Sequence, residues 1–381
     1  MNRPDTTQRE RLRAILDELN AAGSSLIFQF PDGSELGCGD AQTTRVCFRD
    51  GEALDAILRG DHLALADAFL QERVDVQGSL RDVIRVTDLL DVEPDRFGAL
   101  AFWLRFLFDR RRFNRDSISF HYDRPPDFFL SWLGPARCYT HGFYTGPDDD
   151  LGRAEIRKLQ YAVDALSLEA GSRVLDVGCG WGSFLEFAGL RGIEVHGITI
   201  SREQFEYVQD RIHKQNLPCS VELVDFHDFR PAHDYDAAVF MGSLEHLPGL
   251  RRVSRFLARH LRPNGRVYAD FVTSREGRMS GAFLRRHIFP GVSHYVDLPG
   301  LRTALERAGF SVGTVEDDTA SCAYTVRDWA LRLEAHRTEL AVHHGEAAVR
   351  AFLLYLWASH HFLLENQRTE AYHLVASRGG A

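Results

Sequence analysis

The chain has 381 residues, 44% of them hydrophobic and 26% charged, with a formal net charge of -9. That length allows one large domain and one or two smaller ones, and the composition is that of an ordinary globular protein. The acidic balance argues against general nucleic-acid binding, which needs a basic footprint, and six cysteines without CxxC spacing suggest neither a zinc site nor a disulfide framework.

Residues 1–95 read as a small α+β unit. Its first helical pattern, Gln8 to Leu19, is charged and amphipathic and has no apolar secretory stretch, so a cytoplasmic location is expected. Pro31-Asp32-Gly33 between alternating residues marks a hairpin turn, Thr44 to Phe48 a further strand, and Ala53 to Arg59 and Leu63 to Gln71 two helices. No catalytic cluster stands out here. The unit reads as a packing or dimerisation module, with a lipid-handling surface as the alternative.

Residues 96–150 read as a linker and cap. Between 96 and 115, Phe97, Leu100, Ala101, Leu104, Leu107 and Phe108 form an apolar helical face beside Arg105, Arg110, Arg111, Arg112 and Arg115. A basic aromatic helix of this kind suits an anionic membrane surface, or a linker whose apolar side packs inward. The most apolar segments, 99–108 and 347–364, are interrupted by Arg105 and by Arg350, His360 and His361, and fall short of a bilayer-spanning run. Any membrane contact is therefore expected to be peripheral, at the inner surface. From His121 to Tyr144, aromatics interrupted by Pro125, Pro126, Gly134 and Pro135 predict a short helix and ordered loops.

Residues 151–381 contain the most informative stretch. Val174, Leu175, Asp176 and Val177 lead into Gly178-Cys179-Gly180-Trp181-Gly182, followed by a helical pattern with Phe184, Leu185 and Phe187 and a second apolar run from Ile193 to Ile200. This reads as strand, glycine turn, helix and parallel strand. Alternating glycines let a ligand approach the backbone and aim helix-start amides at an anionic group. The Gly-x-Gly-x-Gly spacing differs from the G-x-G-x-x-G dinucleotide fingerprint. With Asp176 ahead of it, the turn resembles motif I of S-adenosylmethionine-dependent methyltransferases.

Further landmarks resemble those of cyclopropane-fatty-acyl-phospholipid synthases and mycolic acid cyclopropane synthases. They are His121-Tyr122-Asp123, Asp127-Phe128-Phe129, Trp132-Leu133 and Tyr139-Thr140 before the glycine turn. After it come Thr199-Ile200-Ser201 with Gln204, Asp225-Phe226-His227-Asp228, Glu245-His246, the Leu261-to-Gly265 turn before a strand at 266–271, Ile288-Phe289-Pro290-Gly291 and Ser377-Arg378-Gly379. The resemblance covers about residues 118–380. It implies an α/β fold: a doubly wound, Rossmann-like class I methyltransferase domain with a helical cap, behind the small α+β unit. It further implies S-adenosylmethionine held by Tyr139, Thr140, Asp176, Gly178, Gly180, Gly182, Thr199, Ser201, Gln204 and Asp225. The implied substrate is the double bond of an unsaturated phospholipid acyl chain, and a homodimer is compatible.

The family assembles a bicarbonate ion from a cysteine, the glutamate of Glu-His, a histidine ending the fifth strand and a downstream tyrosine. Here Glu245 matches, while the other positions fall on His141, Asp270 and Cys322, with Tyr324 two residues on. Fewer donors and an added carboxylate suit an anion poorly, which leaves bicarbonate doubtful as a ligand. Glu245 is the expected catalytic carboxylate, with His141 and Asp270 as partners. An imidazole oriented by Glu245 or Asp270, with its ordinary pKa near neutrality, could accept the proton itself and yield a cyclopropane, a methylene or a methyl branch. No metal is expected, and the doublets His343-His344 and His360-His361 are expected to cover a helix surface or a dimer contact. The rival readings are methylation of a soluble natural-product intermediate and a lipid-binding protein without turnover.

Overall fold

A computed structural model describes residues 4–21, 25–37, 43–85, 124–247, 249–275, 281–289 and 294–379. The basic aromatic stretch at 96–115, the His121-Tyr122-Asp123 landmark, Cys38 and Pro290-Gly291 lie outside the described residues.

The N-terminal unit opens with α1 (Thr6–Ala21), whose Leu12, Leu16 and Leu19 recur at helical spacing and are buried. The expected hairpin forms: β1 (Leu26–Gln29) pairs antiparallel with β2 (Glu35–Leu36) around Gly33, whose φ of 81° suits the turn. β3 (Thr44–Phe48) lies parallel to β1, and α2 (Gly51–Leu58) and α3 (His62–Leu70) follow, capped by Asp50 and Asp61. β4 (Val74–Gln77) completes the order β2-β1-β3-β4, with α4 (Leu80–Ile84) behind it. β4 was not expected, because four residues carry too short an alternation to read.

α5 (Pro126–Leu130) and α6 (Leu151–Ala165) precede a seven-stranded sheet. Its strands are β5 (Arg173–Val177), β6 (Glu194–Thr199), β7 (Ser220–Leu223), β8 (Tyr235–Met241), β9 (Leu261–Ser274), β10 (Phe310–Asp317) and β11 (Thr369–Arg378). They are ordered β10-β11-β9-β8-β5-β6-β7, with β5 to β9 mutually parallel and β11 running antiparallel to both its neighbours, β9 and β10. The order reverses beside β5, between β6 and β8, so ligands are expected at the carboxyl ends of those strands. α7 (Ser183–Gly189), α8 (Arg202–Gln215), α9 (Leu250–His260) and α10 (Leu298–Arg307) connect them. The turn expected before residue 266 is an irregularity inside β9, where Asn264 has φ 64° and the register against β8 shifts.

The cap is α11 (Thr319–Ala335), α12 (Arg337–His344) and α13 (Glu346–Leu364). Contrary to the sequence reading, α13 is long and apolar enough to cross a bilayer by length and composition. Its position explains the composition: Val349, Phe352, Leu356 and Trp357 are buried in an apolar cluster that runs from Leu12, Phe28 and Phe48 through Phe128 and Trp132 to Trp329. Arg350, also buried, donates to the carbonyls of Phe69 and Val74 and to Asp75, and Arg81 and Arg85 grip Glu365. The cap is thereby welded to the N-terminal unit. His360 and His361 correct another expectation, since both are buried rather than on a surface. Their Nδ1 atoms meet the Ala323 carbonyl at 2.9 Å and Glu365 at 3.1 Å, because α13 is covered on more than one side.

Candidate active site

The glycine turn is pinned to β6: the amides of Gly178 and Cys179 both donate to the Ile198 carbonyl, at 2.9 and 3.1 Å. Gly178 and Gly180 have φ of 76° and 54°, which side chains resist. A Cβ on Gly178 would lie 2.8 Å from the Ser243 Cβ, whereas one on Gly180 would meet nothing within 4 Å. That open space is where a ligand can press against the backbone. At the end of β6, Thr199 donates to Gln204 at 2.8 Å and Ser201 caps α8 through the Gln204 amide.

These pieces close around one cavity lined by Tyr139, Thr140, Asp176, Gly178, Gly180, Thr199, Ser201, Gln204 and Asp225. Gly182, expected there, stands apart from it. It caps α7 at φ 75°, and a Cβ on it would come within 3.0 Å of Val208 Cγ2, so its role is close packing on α8. Burial, and then the charge of Asp270, push the Asp176 carboxyl up to about 7. A cationic ligand would draw it back to the carboxylate, so the site fits the positively charged S-adenosylmethionine.

A second cavity, of about 1310 Å³, shares Tyr139, Thr140, Gly242 and His246 with the first. Ordinary small-molecule pockets hold roughly 300–1,000 Å³. At the shared end it is walled by His141, Glu245 and Asp270. Beyond them the wall is Phe289, Trp329, Leu354, Tyr355 and Phe362, and then Phe28, Val46, Phe69, Val76, Leu80 and Ile84 of the N-terminal unit. That unit, read from sequence as packing or lipid handling, thus supplies one wall of the cavity.

Glu245 stands in a single turn, Leu244–His246, just after β8. Its Oε1 accepts the Val272 amide at 2.8 Å, and its buried Oε2 has no hydrogen-bond partner. Burial pushes its carboxyl up to about 7, helped by Asp270 and opposed by two amides and His141. Asp270 Oδ2 lies 3.3 Å from Lys158 Nζ, an ion pair with both side chains buried, while its Oδ1 is buried without a partner. Lys158 also donates to Thr140 Oγ1.

The geometry corrects the expected partners of His141. Its Nε2 lies 3.1 Å from Asp318 Oδ2, and the same oxygen is 2.7 Å from His373 Nδ1, so Asp318, rather than Glu245 or Asp270, orients the ring. Burial lowers its basicity, but hydrogen bonds to Asp318 and Cys322 and the charge of Asp270 overcome this and lift it to about 10. That lift favours the charged imidazolium over the neutral base expected from the sequence. Cys322 lines the cavity. Tyr324 does not: it packs with Tyr144 and under Arg327.

Sequence reasoning missed Lys158, Asp318, His373 and Tyr355. Only Lys158 left a trace, since with Glu155 it interrupts the buried stripe of Leu151, Ala154, Leu159 and Ala162 on α6. Among the described residues, no group of three His, Cys, Asp or Glu side chains is arranged to hold a metal ion.

A family model described as mycolic acid cyclopropane synthetase matches residues 109–372. The chain is 28% identical over 413 aligned positions to a probable fatty acid methyltransferase of Mycobacterium tuberculosis, covering 98% of this chain and 96% of that one. It is 26% identical over 282 positions to a sphingolipid C9-methyltransferase of Candida albicans, covering 69% of this chain and 55% of that one. Among solved structures, the mycolic acid cyclopropane synthase CmaA1 complexed with SAH and CTAB superposes with a TM-score of 0.64 at 23% identity, over 69% of this chain and 98% of that one.

Proposed function

Because the chain belongs to the mycolic acid cyclopropane synthetase family of S-adenosylmethionine-dependent methyltransferases, we propose that its acceptor is the double bond of an unsaturated phospholipid acyl chain. The observation that carries this is the joining of the two cavities: a long apolar space meets the cofactor cavity at Thr140 and Gly242, beside the unpartnered oxygen of Glu245.

When bound, S-adenosylmethionine supplies an electrophilic sulfonium methyl. Asp176, Asp225, Thr199, Ser201 and Gln204, with the backbone at Gly178 and Gly180, hold it against Tyr139 and Thr140. The apolar walls position the alkene and exclude water, which supplies much of the rate enhancement by proximity. Attack by the alkene leaves a carbocation, and the rings of Tyr139, Trp329 and Tyr355 stabilise it through their negative faces. Glu245 Oε2 then takes one proton from the cationic chain. Loss from the transferred methyl closes a cyclopropane; loss from a neighbouring chain carbon leaves a methyl-branched alkene; and a 1,2-hydride shift to the cation, followed by loss from the methyl, leaves a methylene. His141, whose pKa is raised, balances the charge of Glu245 instead of acting as the first base.

Access to such a substrate calls for peripheral contact with the inner membrane surface, from the cytoplasm. The test is mass spectrometry of lipids after incubating the protein and S-adenosylmethionine with vesicles of cis-monounsaturated phospholipid. A gain of one CH₂ per chain supports the reading, and the position and saturation of the new carbon define the product. No gain, with the cofactor bound, sinks the phospholipid assignment and turns the search to soluble acceptors.

A further inference from the structure

An acyl chain drawn from a phospholipid into an apolar cavity leaves its glycerol and phosphate outside, because an unpaired phosphate is too costly to bury. The cavity must therefore open where those groups can rest in water. Resting on the acceptor proposed above, we propose that Arg59 and Arg11, at the corner between α2 and α3, bind the phosphate of the lipid head group and mark the entrance to the cavity.

The exposure of the wall locates that entrance. Among the described residues that line the cavity, those exposed to solvent are Arg11, Arg59, Asp61 and Gly281, and the others are buried or half-buried. Arg11, Arg59 and Asp61 sit together. A guanidinium nitrogen of Arg11, on α1, donates to the Leu58 carbonyl at 2.7 Å, which sets that group beside Arg59. Gly60, at φ 67°, turns the chain sharply, and the amides of Gly60 and Asp61 donate back to the carbonyls of Ile57 and Ala56 at 3.1 and 3.0 Å. Backbone bonds thus fix the corner that carries Arg59.

Gly281 belongs to the opposite lip. It precedes a single π turn, Leu284–Ile288, and Phe283 and Leu284 line the cavity. Arg286 and His287 of that turn meet the two oxygens of Asp67 at 3.0 and 2.7 Å, so the lip is clasped to α3, the helix that starts at the corner. The carboxylates of this region are occupied: Asp61 accepts the Ala64 amide at 2.9 Å as the cap of α3, and Asp67 holds the clasp. Arg11 and Arg59 form no salt bridge among the described residues. In a chain of net charge -9, two such guanidinium groups on the rim of an apolar cavity suit an anion that arrives attached to a chain. A phosphodiester meets that description, since its two free oxygens match guanidinium donors while the remainder of the head group stays in water.

The experiment compares two acceptors carrying the same cis-monounsaturated chain in neutral detergent, a phosphatidylglycerol and a monoacylglycerol without phosphate. The ratio of their kcat/KM values reports the phosphate contact, whereas a variant that merely folds less well lowers both values and leaves the ratio. Arg59→Gln should lower the ratio roughly tenfold, through KM for the phospholipid, the usual worth of a hydrogen bond to a charged group. Arg59→Lys should keep part of the preference, and Arg11→Gln should lower it as well. An unchanged ratio in both Arg59→Gln and Arg59→Glu overturns the site while leaving the lipid assignment intact. The free fatty acid of the same chain is the third acceptor: if it outruns the phospholipid and loses that advantage in Arg59→Gln, the rim reads a carboxylate and the phosphate assignment is overturned. Methylation of none of the three by the unaltered protein overturns the acceptor proposed above instead, and calorimetric titration of the cofactor-free protein with a saturated short-chain phosphatidylglycerol then decides the site. Binding about tenfold weaker in Arg59→Gln supports it; equal binding, or none to the unaltered protein, overturns it.

Discussion

Glu245 hangs by one oxygen from the Val272 amide, at 2.8 Å, and presents the other, unbonded, to the wall of a large apolar cavity. That asymmetry is what a proton acceptor needs: one oxygen fixes the orientation and the other remains free to work.

Replacing Glu245 by Gln should cost about 10²–10⁴-fold in turnover, the usual worth of a positioned general base. In the unaltered enzyme, turnover should rise with pH through about 7, and Glu245→Gln should remove that rise. Stability should move the other way. The folded-state pKa is raised above the ordinary 4.5, so the contribution of Glu245 to stability is present below 4.5 and lost as pH rises through about 7. Glu245→Gln should therefore unfold later than the unaltered protein at alkaline pH, by about 1–2 kcal/mol. Urea titrations at acid and alkaline pH check the sign.

Lys158 and Asp270 form a buried ion pair 3.3 Å apart beneath the two cavities. Lys158→Met should cost about 3–5 kcal/mol by stranding the carboxylate, while the double change Lys158→Met with Asp270→Leu should recover most of that loss. Chemical denaturation of the two single variants and the double variant measures the coupling. A double variant as unstable as the sum of the singles would show that the pair acts only through packing.

Three glycines separate folding from cofactor binding. Gly178→Ala meets Ser243 at 2.8 Å and Gly182→Ala meets Val208 at 3.0 Å, so both should lose stability, by about 1–3 kcal/mol. Gly180→Ala meets no protein atom and should cost only about 1 kcal/mol from its left-handed backbone. Yet its methyl enters the cofactor space. Calorimetric titration with S-adenosylhomocysteine should show the larger affinity loss relative to stability loss for Gly180→Ala.

The N-terminal unit should tune the substrate. Val76 belongs to β4 and lines the apolar cavity, so Val76→Trp should fill part of it without touching Glu245 or the cofactor cavity. Competition between short and long unsaturated phospholipids should then shift the product toward the shorter chain. An unchanged ratio would mean that the acyl chain does not reach this wall.

Most of the cofactor cavity was legible because it is local. Asp176 to Gly180 and Thr199 to Gln204 lie in two short strand-to-helix turns, where glycine conformations and a capping serine follow from the residues themselves. Gly182 does not line the cavity, and a glycine needed for close helix packing leaves the same mark in a sequence as one needed for a ligand. The histidine doublet at 360 and 361 misled for a related reason: polarity signals a surface only until a carbonyl and a carboxylate each meet one ring nitrogen inside.

The sequence by itself determined the parallel sheet, the cofactor turn and the family, since each rests on short-range periodicity or a compact motif. Tertiary structure alone decided the partners of His141. Asp318 reaches His141 across 177 positions and His373 across 55, and no spacing rule encodes such a meeting. The raised pKa of His141 follows from that meeting, because hydrogen bonding to Asp318 and Cys322 outweighs burial only once those elements have packed around the ring. The joining of the N-terminal unit to the active-site cavity has the same origin, an apolar core assembled from segments at opposite ends of the chain.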